Sequence, residues 1–61
     1  MKRRELVRML LAAGFILIRS RGPHDVFGKE TLRIAVPRHV EIKEHLARKI
    51  LREAGIRDEH R

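Results

Sequence analysis

Two turn signals in the middle of the chain, Arg21-Gly22-Pro23 and Gly28-Lys29-Glu30, limit what it can fold into. Glycine supplies unusual dihedrals, and proline cannot donate to a central ladder, so each signal breaks the chain. What they leave is strand-length. Phe15 to Ser20 is rich in β-branched and aromatic residues, and His24 to Gly28 carries Val26 and Phe27. Thr31 to Val36 alternates Leu32, Ile34 and Val36 with Arg33 and Ala35, and Pro37 ends it. Turns this short make the strands an antiparallel meander. With Phe27 turned to the core, Asp25 shares its face and His24 and Val26 face the other way. The first strand is apolar on both sides: Phe15 and Leu17 are expected in the core, and Ile16 and Ile18 on the opposite face.

Helical spacing brackets the strands. Leu6, Met9, Leu10 and Ala13 form a stripe within Lys2 to Ala13, widened by Val7 and Leu11, and Gly14 is the expected stop. Glu44 to Ala54 carries Leu46, Ala47, Ile50, Leu51 and Ala54, with Gly55 as its cap and Ile56 closing back. Helix, meander, helix implies an α+β domain, α-β-β-β-α, with a three-stranded antiparallel sheet and both helices on one face. Residues 1–61 make one domain, of which Arg57 to Arg61 is expected to be a frayed tail.

A chain of 61 residues without cysteine has neither a disulfide nor a thiolate zinc site to staple it. It buries only about 60% of its unfolded surface, so it depends on an economical core, a homo-oligomer or a partner. Fifteen basic against eight acidic residues give a formal charge of +7, which favours an anionic partner, nucleic acid or an acidic protein. No apolar run is long enough to span a membrane. The basic start is followed by a fairly apolar stretch, but Gly14 interrupts it and no small-residue cleavage site follows, so the chain reads as cytoplasmic.

The residues exclude several chemistries. No paired metal-ligand spacing occurs, so no metal and no cofactor are expected. Ser20 lacks a nucleophile-elbow context, and no glycine-rich phosphate loop is present. Histidine acid–base work remains, because an imidazole exchanges protons near neutrality. His60 lies in the tail and His45 near the start of the second helix, where solvated roles suit them. His24 and His39 follow turn-forming or chain-breaking residues with arginines nearby. RNA cleavage needs a base for the ribose 2′-hydroxyl and cations for the phosphate charge. His24 is the candidate acid or base, with Arg19, Arg21, Lys29, Arg38 and His39 as electrostatic or RNA-binding groups.

Three segments together resemble the HicA-type (YcfA-like) toxins: Gly14 to His24 read as G-F-x3-R-x2-G-P-H, Val36-Pro37-Arg38-His39, and Ile50-Leu51-Arg52-Glu53-Ala54-Gly55-Ile56. With the first helix the likeness covers nearly the whole chain. It implies a double-stranded-RNA-binding-like fold, and an mRNA interferase of a type II toxin–antitoxin pair neutralised by a HicB-type antitoxin. It also implies that His24 is the active histidine, with Arg19 and Phe27 at the motif's arginine and aromatic positions. Two positions depart from the family pattern. Pro23 stands where the family has serine, which removes a hydroxyl beside the active histidine. Leu46 stands where a threonine often caps the second helix, so that helix is expected to begin earlier or to fray.

If the helices cover one side of the sheet, Ile16, Ile18, Val26 and Ala35 form an open apolar face beside His24, for which RNA and antitoxin are expected to compete. The competing readings are a non-catalytic RNA-binding module on the same fold and an interaction domain for an acidic partner.

Overall fold

The structure, a computed structural model, describes residues 1–57. Its element order is α1 (Arg3–Ala12), β1 (Ile16–Arg21), β2 (His24–Lys29), β3 (Leu32–Pro37) and α2 (Glu44–Glu53). The sheet is antiparallel in the order β1-β2-β3. This is the expected α-β-β-β-α meander.

Both helices end by the same device. Gly14 (φ 100°) and Gly55 (φ 75°) take the left-handed conformation just past α1 and α2. The next amide then reaches back: Phe15 N–H donates to the Leu10 carbonyl at 3.0 Å, and Ile56 N–H to the Leu51 carbonyl at 2.9 Å. These are Schellman closures, and they turn Phe15 and Ile56 back toward the helices. At the start of α2 neither Lys43 nor Leu46 caps the helix through its side chain: it begins at Glu44, ahead of Leu46.

The core lies between the helices and β2–β3. It joins Leu6 and Leu10 of α1, Phe15, Phe27, Ile34, Val36, Ile42, and Ala47, Ile50, Leu51 and Ala54 of α2. Each large apolar side chain removed from water contributes about 1.5–3 kcal/mol. Residues 1–3 also pair with the connector before α2. Arg3 N–H donates to the Val40 carbonyl at 2.8 Å and Ile42 N–H to the Met1 carbonyl at 2.8 Å, around a Lys2–Glu41 bridge. That pairing fixes the path of residues 38–43.

Strand β1 departs from simple alternation. Leu17 pairs with Phe27, and the next pair is Arg19 with Val26, so Ile18 is an extra, bulged residue. Leu17, expected in the core, is 52% exposed. It lies on the helix side by register, but β1 is an outer strand that the helices do not reach, and Phe15 fills the core from the α1–β1 turn instead. Leu32, also expected inward, is 42% exposed where β3 leaves the hairpin. His60 and the tail from Asp58 onward lie outside the described residues.

Candidate functional site

The bulge decides what the uncovered face of the sheet displays. In unbroken alternation Arg19 and Arg21 would share the side of Leu17. One extra residue moves both to the other side. Arg19 then stands opposite Val26, and Arg21 directly opposite His24. Side chains paired this way have Cβ atoms about 4.5–5.5 Å apart. By register the same face carries Ile16, Ile18, Val26, Gly28, Arg33, Ala35 and Pro37. Ile16, Ile18 and Ala35 are exposed and Val26 is half-buried, so none of these four belongs to the core.

The strands' one carboxylate, Asp25, faces the other way. It is held by Arg3 of α1 through a short Nη2–Oδ2 contact and by Arg38, whose Nε donates to Oδ1 at 2.9 Å. Arg3 Nε also donates to the Pro37 carbonyl at 2.9 Å. The Ser20 hydroxyl hydrogen-bonded to Asp25 is the main cause holding its carboxyl below the ordinary value, with Arg38 and Arg3 adding to it against a smaller cost of burial. The uncovered face therefore presents arginines and His24, with no strand carboxylate to neutralise them.

His24 is exposed at the start of β2 and lines an open cleft of about 600 Å³ with Pro37, His39, Glu41, Ile42, Lys43 and Leu46. The β2–β3 ladder continues past the named strands, since Arg38 N–H donates to the Pro23 carbonyl at 3.0 Å. Proline has no N–H to return. Just beyond β3, Arg38 turns to Asp25, while His39 lines the cleft with Pro37 and His24. On the cleft's wall, Glu41 is ion-paired with Lys2 at 3.3 Å, and a hydrogen bond from that lysine is the main cause lowering its carboxyl from the ordinary value. Among the described residues no group of three or more His, Asp or Glu side chains is arranged to hold a metal ion.

The model of the HicA toxin of bacterial toxin–antitoxin pairs matches residues 3–56 of the 61. The chain belongs to the HicA toxin family. Neither the search of curated proteins nor the search of solved structures returned a match. Among the described residues no helix is long and apolar enough to cross a membrane.

In this HicA chain the residues singled out from sequence do not all meet. Arg19, Arg21 and His24 share one face, and His39 lines the cleft beside His24. Lys29 does not join them: it lies at the far end of β2, five residues from His24, or about 17 Å along a strand. Its ammonium donates to the Ala13 carbonyl at 2.7 Å and sits 5.8 Å from the Phe15 ring centre, which ties β2 to the end of α1. Arg38 is drawn to the helix side by Asp25. Sequence reasoning missed Asp25, Glu41, Lys43 and Leu46. For Asp25 a signal existed: a carboxylate on the same side as Phe27 needs a cation within reach. The cleft residues carried no local signal, because the long-range pairing of residues 1–3 with 40–42 brings them there.

Proposed function

We propose that this HicA protein is an mRNA endonuclease that cleaves by histidine acid–base catalysis without a metal ion, with His24 as the proton-transfer group. One observation carries the reading: His24 is solvent-accessible, directly opposite Arg21, on a sheet face whose strands hold arginines and no carboxylate. A phosphodiester laid across this face meets Arg19 and Arg21, which stabilise the charge that builds on the phosphoryl oxygens. The imidazole moves a proton at the 2′-hydroxyl or at the leaving 5′-oxygen. His39 lines the same cleft as His24 and is placed to bind the RNA backbone. Arg38 contributes positive charge from its half-exposed position beside Asp25, and Lys29 serves the fold rather than the phosphate.

The antitoxin, of HicB type, would cover Ile16, Ile18, Val26 and Ala35, apolar groups next to the arginines, and so compete with RNA. A hollow lined by Ile16, Ile18, Gly28 and Arg33 lies on this side of the sheet. An RNA-binding module without catalysis is the alternative on the same surface. Expression of wild type and His24→Ala, with RNA cleavage assayed in chelator, tests the reading. Cleavage and growth arrest by the wild type alone are expected. Equal cleavage by both would remove His24 from the mechanism, and RNA binding without cleavage by either would leave the module.

A further inference from the structure

We propose that His39 is a second catalytic residue, so that cleavage uses a pair of imidazoles, one as base and one as acid. This rests on the endonuclease reading of the preceding section. Pro37 pairs with His24, and the next bond, from Arg38 N–H to the Pro23 carbonyl at 3.0 Å, carries the contact one residue further. His39 follows directly, at the end of the sheet where β2 begins with His24. The cleft the two histidines share, about 600 Å³, has room for one phosphate between the rings. Both side chains are exposed and both line the same cleft. Arg21 stands opposite His24 on its other side, so the phosphate position has an imidazole on each flank and a guanidinium beside one of them.

The chemistry balances with these groups alone. One imidazole takes the proton of the 2′-hydroxyl as its oxygen bonds to phosphorus. The bond from phosphorus to the 5′-oxygen breaks, its electron pair stays on that oxygen, and the second imidazole supplies the proton. The products are a 2′,3′-cyclic phosphate and a 5′-hydroxyl. Activity needs one ring neutral and the other protonated, which gives a bell-shaped pH dependence of kcat/KM. The charged groups that line the cleft with the two histidines are Glu41 and Lys43, and Arg21 stands opposite His24 across the sheet.

The test uses wild type, His24→Ala, His39→Ala and His39→Asn on a short RNA, with folding checked by thermal melting. His39→Ala and His39→Asn are expected to lose about 10²–10⁴-fold in kcat/KM and one limb of the bell. A second substrate carries sulfur in place of the 5′-oxygen, a leaving group that needs no proton. One of the two alanine variants, the one lacking the acid, is expected to regain rate on it. Full activity of folded His39→Ala with both limbs intact would overturn the proposal while leaving His24 in place. Rescue of neither variant would overturn it as well. A wild type that does not cleave, or a His24→Ala that cleaves normally, would instead refute the endonuclease reading on which it depends.

Discussion

Replacing Gly28 with alanine is expected to weaken the protein, although alanine normally improves a strand. A Cβ at this position would lie 2.7 Å from Ile18 Cγ1, 2.8 Å from Arg33 Nη1 and 3.0 Å from Ile18 Cδ1. Ordinary carbon contacts are about 3.5–4.0 Å, so both side chains must move. Arg33 is held over the strand by bonds from Nη1 to the Glu30 carbonyl at 2.9 Å and the Leu32 carbonyl at 2.7 Å. Each such bond contributes about 0.5–1.5 kcal/mol, at the low end here because water can replace it. Overpacking a closed core costs about 1–3 kcal/mol, and Ile18, 41% exposed, can yield part of that by shifting outward. Against this stands a gain of about 0.5–1 kcal/mol from removing a glycine within a strand. The balance is a loss of about 1 kcal/mol, or a Tm lower by about 4–8 °C. Ile18→Ala deletes both crowding carbons and leaves only the Arg33 guanidinium to give way, so in that background Gly28→Ala is expected to cost less. The assay is a double-mutant cycle by guanidinium denaturation and thermal melting, with a coupling of about 0.5–1.5 kcal/mol. A Gly28→Ala variant that stabilises the wild type, or a cost unchanged by Ile18→Ala, would refute the account of how Ile18 and Arg33 cover β2.

Phe15→Ala and Leu17→Ala separate the two residues that alternation equates. Phe15→Ala is expected to cost about 3–5 kcal/mol, enough to unfold most of a chain whose total is about 3–9 kcal/mol, and Leu17→Ala under about 1 kcal/mol; equal losses in urea titrations would contradict the placement of Leu17 outside the core. Glu30, at φ 55°, occupies a conformation that glycine adopts without strain, so Glu30→Gly is expected to raise stability by roughly 0.5–1 kcal/mol, read as a higher denaturation midpoint; a loss would mean that the Glu30 side chain supports the turn. Asp25 has a carboxyl lowered from its ordinary 3.8, so the stability it contributes is complete above about pH 5 and is lost progressively as pH falls past 3.8 and through the lowered value. Thermal melts across acid pH are expected to show a smaller acid-side drop for Asp25→Asn than for wild type, Glu41 supplying the part that remains; identical profiles would remove Asp25 from acid sensitivity.

The fold was legible because its signals are local. Gly14 and Gly55 end helices, Gly22-Pro23 and the Gly28–Glu30 region reverse the chain, and Phe27, Ile34 and Val36 alternate as a covered sheet requires. The expected hairpin after Gly28 falls one residue later, at Glu30, where a non-glycine residue takes the left-handed conformation. What could not be read was geometry set by pairing. A bulge at Ile18 has no composition of its own, yet it sends the two arginines to the side opposite Leu17, where strict alternation would have kept all three together. Lys29 looked like a free cation beside a turn, but the carbonyl of Ala13 waits for it at the end of α1. His39 reads as a loop histidine until the ladder is followed one bond beyond Pro37.

The wall of the cleft that bears His39 is held by the first residues of the chain, which pair with residues 40–42. Residues 1–3 do not themselves line the cleft, whose walls are His24, Pro37, His39, Glu41, Ile42, Lys43 and Leu46. The clasp therefore makes the cleft answerable to a segment outside it: a substitution that breaks the backbone pairing at Met1 or Arg3 loosens the wall that bears His39 while leaving every lining side chain in place.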